Sequence, residues 1–242
     1  MRMGIGLVVY GRPAGLNAGK EQLIRLFPEA EIRVVNNMPN AAIDRQEQGH
    51  NRQFEFGAYL SLLGAFQDFD KVLIINDTWI TQHATKAWAQ LWKRAMNAEG
   101  QELGVWADLR FDGAAFDERP NPFASSWFML ARNTESVSVL FETLQTTLIQ
   151  ETLISPSYND FLNAWLKARL PFFGWHGGSK TTDKNRKRLC IVWEHRWSKE
   201  LRQRGVELLQ LNNQGKFLHL YCRLHDRWVT RQYALLRFLK MR

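Results

Sequence analysis

Cysteine is nearly absent from this chain: Cys190 and Cys222 are the only two in 242 residues. They lie far apart and outside any metal-ligand spacing, which excludes a disulfide-stapled scaffold and a thiolate zinc site and predicts a reducing, cytoplasmic setting. The six histidines are scattered without a His-x-x-x-His pair, so no histidine metal motif is present either. No apolar run approaches the ~18 residues that a membrane-spanning helix needs, and no secretory apolar segment is followed by a small-residue cleavage site. There is no Gly-x-Ser-x-Gly elbow. Gly4-Ile5-Gly6 lies inside an apolar run instead of after one, so a dinucleotide-binding turn is excluded. Acids are also in short supply. Lys and Arg total 32 against 24 Asp and Glu, a net charge of +8 with pI near 9.7. An anionic partner follows: a nucleotide, a nucleic acid or an acidic membrane surface. Nucleic acid is the weakest of these, because the basic residues do not interleave with aromatics on the predicted strands and no recognition motif occurs.

What is present is the material of a globular α/β protein, with 45% apolar and 23% charged residues. The chain reads as one domain over 1–242. Apolar runs predict strands at 4–10, 31–35, 71–75, 104–109, 126–131 and 206–211. Helical periodicity predicts helices at 20–27, 54–66, 83–96, 134–150, 158–170 and 198–204, and a basic one at the C-terminus. Residues 111–123 read as a site loop, 174–188 as a polar loop and 189–193 as a short apolar stretch. Strands and helices alternate early and become irregular later, which predicts a mostly parallel sheet flanked by helices with an irregular C-terminal part. Ten tryptophans leave three uses open: core, carbohydrate platform or interfacial anchor.

The run Lys71-Val72-Leu73-Ile74-Ile75 reads as a strand buried on both faces, ending abruptly in Asn76-Asp77-Thr78. Ligands of open α/β sheets bind just outside the carboxyl ends of such strands. Asp77 there can hold a metal-bound diphosphate or a sugar hydroxyl; the alternative is that it caps the next helix. A second stretch, Asn51-Arg52-Gln53-Phe54-Glu55-Phe56-Gly57-Ala58-Tyr59, falls between the second strand and the strand ending at Asp77, on the same edge of the predicted sheet.

These two stretches resemble motifs of the rhamnan-synthesis-like bacterial polysaccharide glycosyltransferases, which have a nucleotide-sugar-binding GT-A fold. Their Asn-x-Gly-aromatic-Asp-Phe-Gly-Ala-aromatic pattern is similar to residues 51–59, with Gln53 where glycine is usual and Glu55 where aspartate is usual. Their Leu-x-Asn-Asp-Ser strand end is similar to 74–78, and their Gln-Ser-Tyr-Phe-Leu strand to Ser125-Ser126-Trp127-Phe128-Met129-Leu130. Their Glu-Val-Gly-Leu-Ser segment is weakly similar to Glu194-His195-Arg196-Trp197-Ser198. The four pieces keep their order across roughly residues 5–210.

The resemblance implies a GT-A-like fold and transfer of a sugar from a nucleoside diphosphate to a hydroxyl of a growing surface glycan, free or lipid-linked. It implies that Asn51 and Glu55 help hold the nucleotide near the turn after Tyr10, with Asn76 and Asp77 beside them. The departing diphosphate needs its charge met. One route is a Mg²⁺ or Mn²⁺ ion at Asp77, although the two acids spaced by one residue that are usual in this fold are here only Asn76-Asp77. The other is cationic side chains: Arg12, Arg132 and the cluster from Lys180 to Arg188. Glu194 matches the family's glutamate near the acceptor and is the candidate base, raised towards neutrality by Trp193 and Trp197. A surface salt bridge with Arg196 or Lys199 is its alternative role, and Asp108 and Asp160 are reserve candidates. The departures at 53 and 55 also fit a non-catalytic copy that binds glycan or a partner transferase. The loop 174–180 has lid composition, or is plain loop.

Residues 223–242 form the remaining pattern. On a helical wheel Leu224, Trp228, Val229, Leu235, Leu236 and Leu239 share one side, and Arg223, Arg227, Arg231 and Arg237 the other. Such a helix either lies on an anionic membrane, placing the protein on the inner face of the cytoplasmic membrane, or docks on the protein's own core with its arginines in water.

Overall fold

A computed structural model describes residues 1–11, 14–38, 47–49, 53–83, 85–98, 103–111, 115–149, 154–167, 181–211 and 215–240. Strand β1 (Met3–Val9) pairs in parallel with β2 (Ala30–Asn36) on one side and β4 (Lys71–Asn76) on the other. The two-residue β3 (Glu47–Gln48) extends the β2 edge. Beyond β4, the strand β6 (Phe123–Ala131) runs antiparallel to both β4 and β5 (Gly104–Arg110), and β7 (Glu207–Gln210) lies parallel to β5. The result is a mixed seven-stranded sheet ordered β3-β2-β1-β4-β6-β5-β7. Only β6 runs against the rest, so the expected mostly parallel α/β sheet is found, with one reversal that strand periodicity does not reveal.

Helices cover both faces. On one lie α2 (Phe54–Ala65), α5 (Thr134–Ile149) and α7 (Thr181–Gln203). On the other lie α1 (Leu16–Leu26), the one-turn α3 (Thr78–Gln82), α4 (Thr85–Asn97) and α8 (Lys216–Lys240). A third cluster joins α6 (Pro156–Leu166) to α7 through Tyr158, Leu162, Ile191 and Val192. The pleat explains the pattern: Ile5, Leu7 and Val9 enter the α1/α4 layer, while Gly4, Gly6 and Val8 face α2. Glycine is required there by proximity. A Cβ on Gly4 would meet the Phe66 ring at 2.7 Å, and one on Gly6 would meet Ile74 at 2.8 Å and Leu62 at 2.9 Å. In β4, Val72 and Ile74 fill one layer and Leu73 and Ile75 the other, all fully buried, each worth about 1.5–3 kcal/mol.

Two expectations are corrected. The polar loop, apolar stretch and short helix expected over 174–204 are, from Thr181 onward, one helix of 23 residues. It holds neither glycine nor proline, and its buried Cys190, Trp193, Trp197 and Leu201 recur at helical spacing along one face. The C-terminal helix starts at Lys216 and packs with its polar side inward: Cys222 and Asp226 are buried and Arg223 reaches into the protein, while Leu224 and Trp228 face out. Seven tryptophans are buried; among those described only Trp228 is exposed.

Candidate functional site at the carboxyl edge of the sheet

The site begins where β4 stops. The Asn76 side-chain carbonyl accepts the Thr78 N–H at 3.0 Å, and the Asp77 carbonyl accepts the Thr81 N–H at 3.0 Å, so the chain turns at once into α3. The Asp77 backbone therefore opens a helix, but its carboxylate makes no capping bond. It reaches to the adjacent β1 end and accepts the Tyr10 N–H at 3.1 Å. Burial, reinforced by the charge of Glu55, pushes the Asp77 carboxyl up to about 6, the Tyr10 N–H opposing both.

Glu55 arrives from the first turn of α2. Its carboxylate accepts the Tyr10 hydroxyl at 3.4 Å and the Cys190 thiol at 3.7 Å. Burial and the neighbouring Glu55 hold the Tyr10 phenol and the Cys190 thiol well above their usual ranges, so both remain protonated donors at neutral pH. The Asn37 amide donates to the Phe54 carbonyl at 2.8 Å, tying the β2 end to the start of α2. Phe54 carries φ +53, a left-handed conformation that a bulky residue adopts only under constraint. Nearby, Asn36 Oδ1 accepts both the Gly11 N–H at 2.9 Å and the Met38 N–H at 3.0 Å. Gly11 takes φ +78 in this turn, which favours glycine.

The opposite wall comes from β6 and α7. Ile75 pairs with Phe128, the last pair of the antiparallel β4–β6 ladder, and Ser126 lies on β6 two residues before Phe128. Its N–H is taken by Glu194 Oε1 at 2.5 Å. Glu194 is half-buried mid-way along α7, and burial raises its carboxyl despite the opposing pull of Lys187, Ser126 and Arg110. The Arg186 guanidinium covers the Phe54 ring at 4.7 Å. Lys187 acts electrostatically on both Cys190 and Glu194.

Behind this wall lies a polar cluster. Asp108, wholly buried at the β-bulge of β5, binds Arg110 at 2.9 Å, Arg223 of α8 at 3.1 Å and the Trp127 indole N–H at 3.0 Å. Burial works against its charge, but the two guanidiniums outweigh it and hold the carboxyl below the usual range. His83 Nδ1 bonds Asp226 at 2.6 Å, the Trp88 indole donates to the same oxygen at 2.9 Å, and the His83 ring stacks on Trp127 at 3.9 Å. His195 is different. Enclosed between Tyr158 and Arg119, it is driven down to about 3 by burial and then by the Arg119 charge, and so stays neutral.

The structure thus brings together Tyr10, Glu55, Asn76 and Asp77, with Glu194 on the facing wall. Arg12, Asn51 and Lys180 lie outside the described residues. Arg132 goes elsewhere: at the far end of β6 it donates to the Ala98 carbonyl at 2.7 Å and caps the carboxyl end of α4. Asp160 sits exposed on α6, and Asp108 is locked in ion pairs. Sequence reasoning missed Arg110, Arg223 and the His83–Asp226 pair, since their partners are more than a hundred residues apart or lie across a bulge. Among the described residues no group of three His, Cys, Asp or Glu side chains converges to hold a metal ion. No family model matches the chain, and no curated protein matches it significantly.

Proposed function

We propose that this protein is a glycosyltransferase of GT-A-like fold that moves a sugar from a nucleoside diphosphate to a hydroxyl of a bacterial surface glycan. The observation that carries this reading is the convergence of Tyr10, Glu55, Asn76 and Asp77 where β1 and β4 end, the edge at which α/β sheets bind ligands. In this reading the β1–β2 side holds the nucleotide and the Glu194 wall faces the acceptor. Glu194 has a raised carboxyl, suiting it to take the proton of an attacking hydroxyl near neutral pH. Asp77 and Glu55 repel one another across Tyr10, and two such oxygens plus donor phosphates are what Mg²⁺ accepts. A bound cation would supply charge for the departing diphosphate there, and Arg186 and Lys187 offer cationic help from α7.

The test is thermal shift of the purified chain with a panel of nucleotides and nucleotide sugars, with and without Mg²⁺ or Mn²⁺. A native-state ligand at a hundred times its Kd stabilises by about 2.7 kcal/mol, a readily measured rise in Tm. A shift confined to one nucleoside diphosphate and its sugars is expected, larger with metal. Indifference to every member of the panel would sink the transferase reading and favour a non-catalytic glycan or partner binder, which the Gln53 and Glu55 departures also fit.

A further inference from the structure

Helix α8 is docked inside out. Its inner face carries Cys222, Arg223 and Asp226, satisfied by Asp108, His83 and Trp88. Its outer face is apolar: Phe217 is 91% exposed, Leu220 54%, Tyr221 55%, Leu224 56%, Trp228 61% and Leu235 40%. At about 100° per residue these six fall within an arc of about 100°, a single stripe along some five turns. Isolated exposed apolar residues are ordinary on a protein surface; a stripe of six with three aromatics marks an interaction face.

The flanking charge selects the occupant. Lys216 and Arg227, both exposed, border the stripe, and the one acid from 216 to 242, Asp226, is turned inward and already bonded. The face is therefore apolar with a cationic border, and α8 adds no outward acid to it. A second copy seated on it would bring the cations that border the face in both chains together in an apolar, poorly screened contact. A surface of anionic headgroups over acyl chains meets both features: Lys216 and Arg227 pair with phosphates while Phe217, Leu224 and Trp228 enter the boundary. No described helix is long and apolar enough to cross a membrane, so the contact is a surface one.

We infer that the outer face of α8 is a docking surface for anionic lipid bilayers, on which the helix lies in the plane of the interface. This stands independently of the transferase reading. Because Arg223 and Asp226 on the same helix join the polar cluster behind the candidate site, docking sets that edge of the sheet close to the bilayer.

Co-sedimentation of the full chain with phosphatidylcholine vesicles, with and without phosphatidylglycerol, tests it. Binding only to the anionic vesicles, weakened by added salt, is expected. The triple variant Phe217→Ser/Leu224→Ser/Trp228→Ser should lose about tenfold or more in vesicle affinity, and Lys216→Glu/Arg227→Glu a similar factor on anionic lipid alone. Phe217, Leu224 and Trp228 are each more than half exposed, so circular dichroism should match wild type and Tm should stay close to it. Equal sedimentation of wild type and triple variant, or no binding by wild type, overturns the inference. So does a concentration-dependent dimer in analytical ultracentrifugation that the triple variant abolishes, since the face then belongs to a second copy.

Discussion

Asp77 is placed where a carboxylate is costly to ionise and useful when it does. Its oxygen accepts the Tyr10 N–H, another carboxylate lies across Tyr10, and its carboxyl is pushed up to about 6 by burial and by Glu55. The folded chain therefore holds this proton more tightly than the unfolded chain does. Between the ordinary carboxylate range near 3.8 and about 6 the folded state binds more protons. Stability falls as pH rises through that window, and the cost is fully present above it. Asp77→Asn keeps an acceptor for the Tyr10 N–H and removes the charge. It should gain up to about 2 kcal/mol in urea unfolding at pH 7.5, discounted for partial exposure, and gain almost nothing at pH 4. The same variant should abolish sugar transfer; full activity would remove Asp77 from the mechanism. Glu194→Gln separates chemistry from packing in the same way. The amide carbonyl still accepts the Ser126 N–H, so stability should change by less than about 1 kcal/mol. As a lost base it should lower kcat by about 10²–10⁴. A rate within a factor of two of wild type would return Glu194 to a purely structural role.

At the scale of elements, what was legible in the sequence is what local chemistry decides. The doubly buried β4 and its stop at Asn76-Asp77 could be read directly, because four aliphatics in a row have no solvent face to spare. The helix α2 that delivers Glu55 was equally clear. The reversed β6 was not legible, since side-chain alternation is the same in parallel and antiparallel strands. Nor was α7, where a cationic run from Lys184 to Arg188 disguises a helix whose inward stripe starts only at Cys190. Arg132 was misplaced for a related reason: a cation near a strand end says nothing about which end of the sheet it occupies, and here it caps α4. The α2–β1 contact offers a direct test of the packing. Gly6 admits the helix because a Cβ would stand 2.8 Å from Ile74 and 2.9 Å from Leu62. Both neighbours are fully buried and cannot swing aside. Gly6→Ala should cost about 1–3 kcal/mol in denaturant unfolding. An unchanged midpoint would mean that α2 sits further from the sheet than described.

For the molecule as a whole, α8 presents two unlike faces, and their contributions can be told apart. Its outer stripe contributes little to folding because it touches little, so single serine substitutions there should stay within about 0.5 kcal/mol of wild type. Its inner face closes a buried electrostatic circuit. Asp108, with no solvent exposure, divides its charge between Arg110 and Arg223, and Asp226 binds His83 and Trp88. Removing residues 216–242 deletes half of that arrangement and withdraws Leu218 and Cys222 from the core behind the sheet. A buried carboxylate that loses one of two guanidinium partners is strongly destabilising, about 3–5 kcal/mol. The truncated chain should therefore melt well below the full chain, and failure of such a truncation to bind vesicles would say nothing about lipid. Because the charged Asp108 is what becomes uncompensated, adding Asp108→Asn to the truncation should recover part of the loss at pH 7. The recovery should shrink as pH falls and Asp108, no longer held down by Arg223, takes up a proton in the truncated chain. Urea unfolding of the three chains at pH 7 and pH 4 measures this directly. If the truncated chain is as stable as the full one, the inner face of α8 is not part of the fold's support, and the contrast between its two faces collapses.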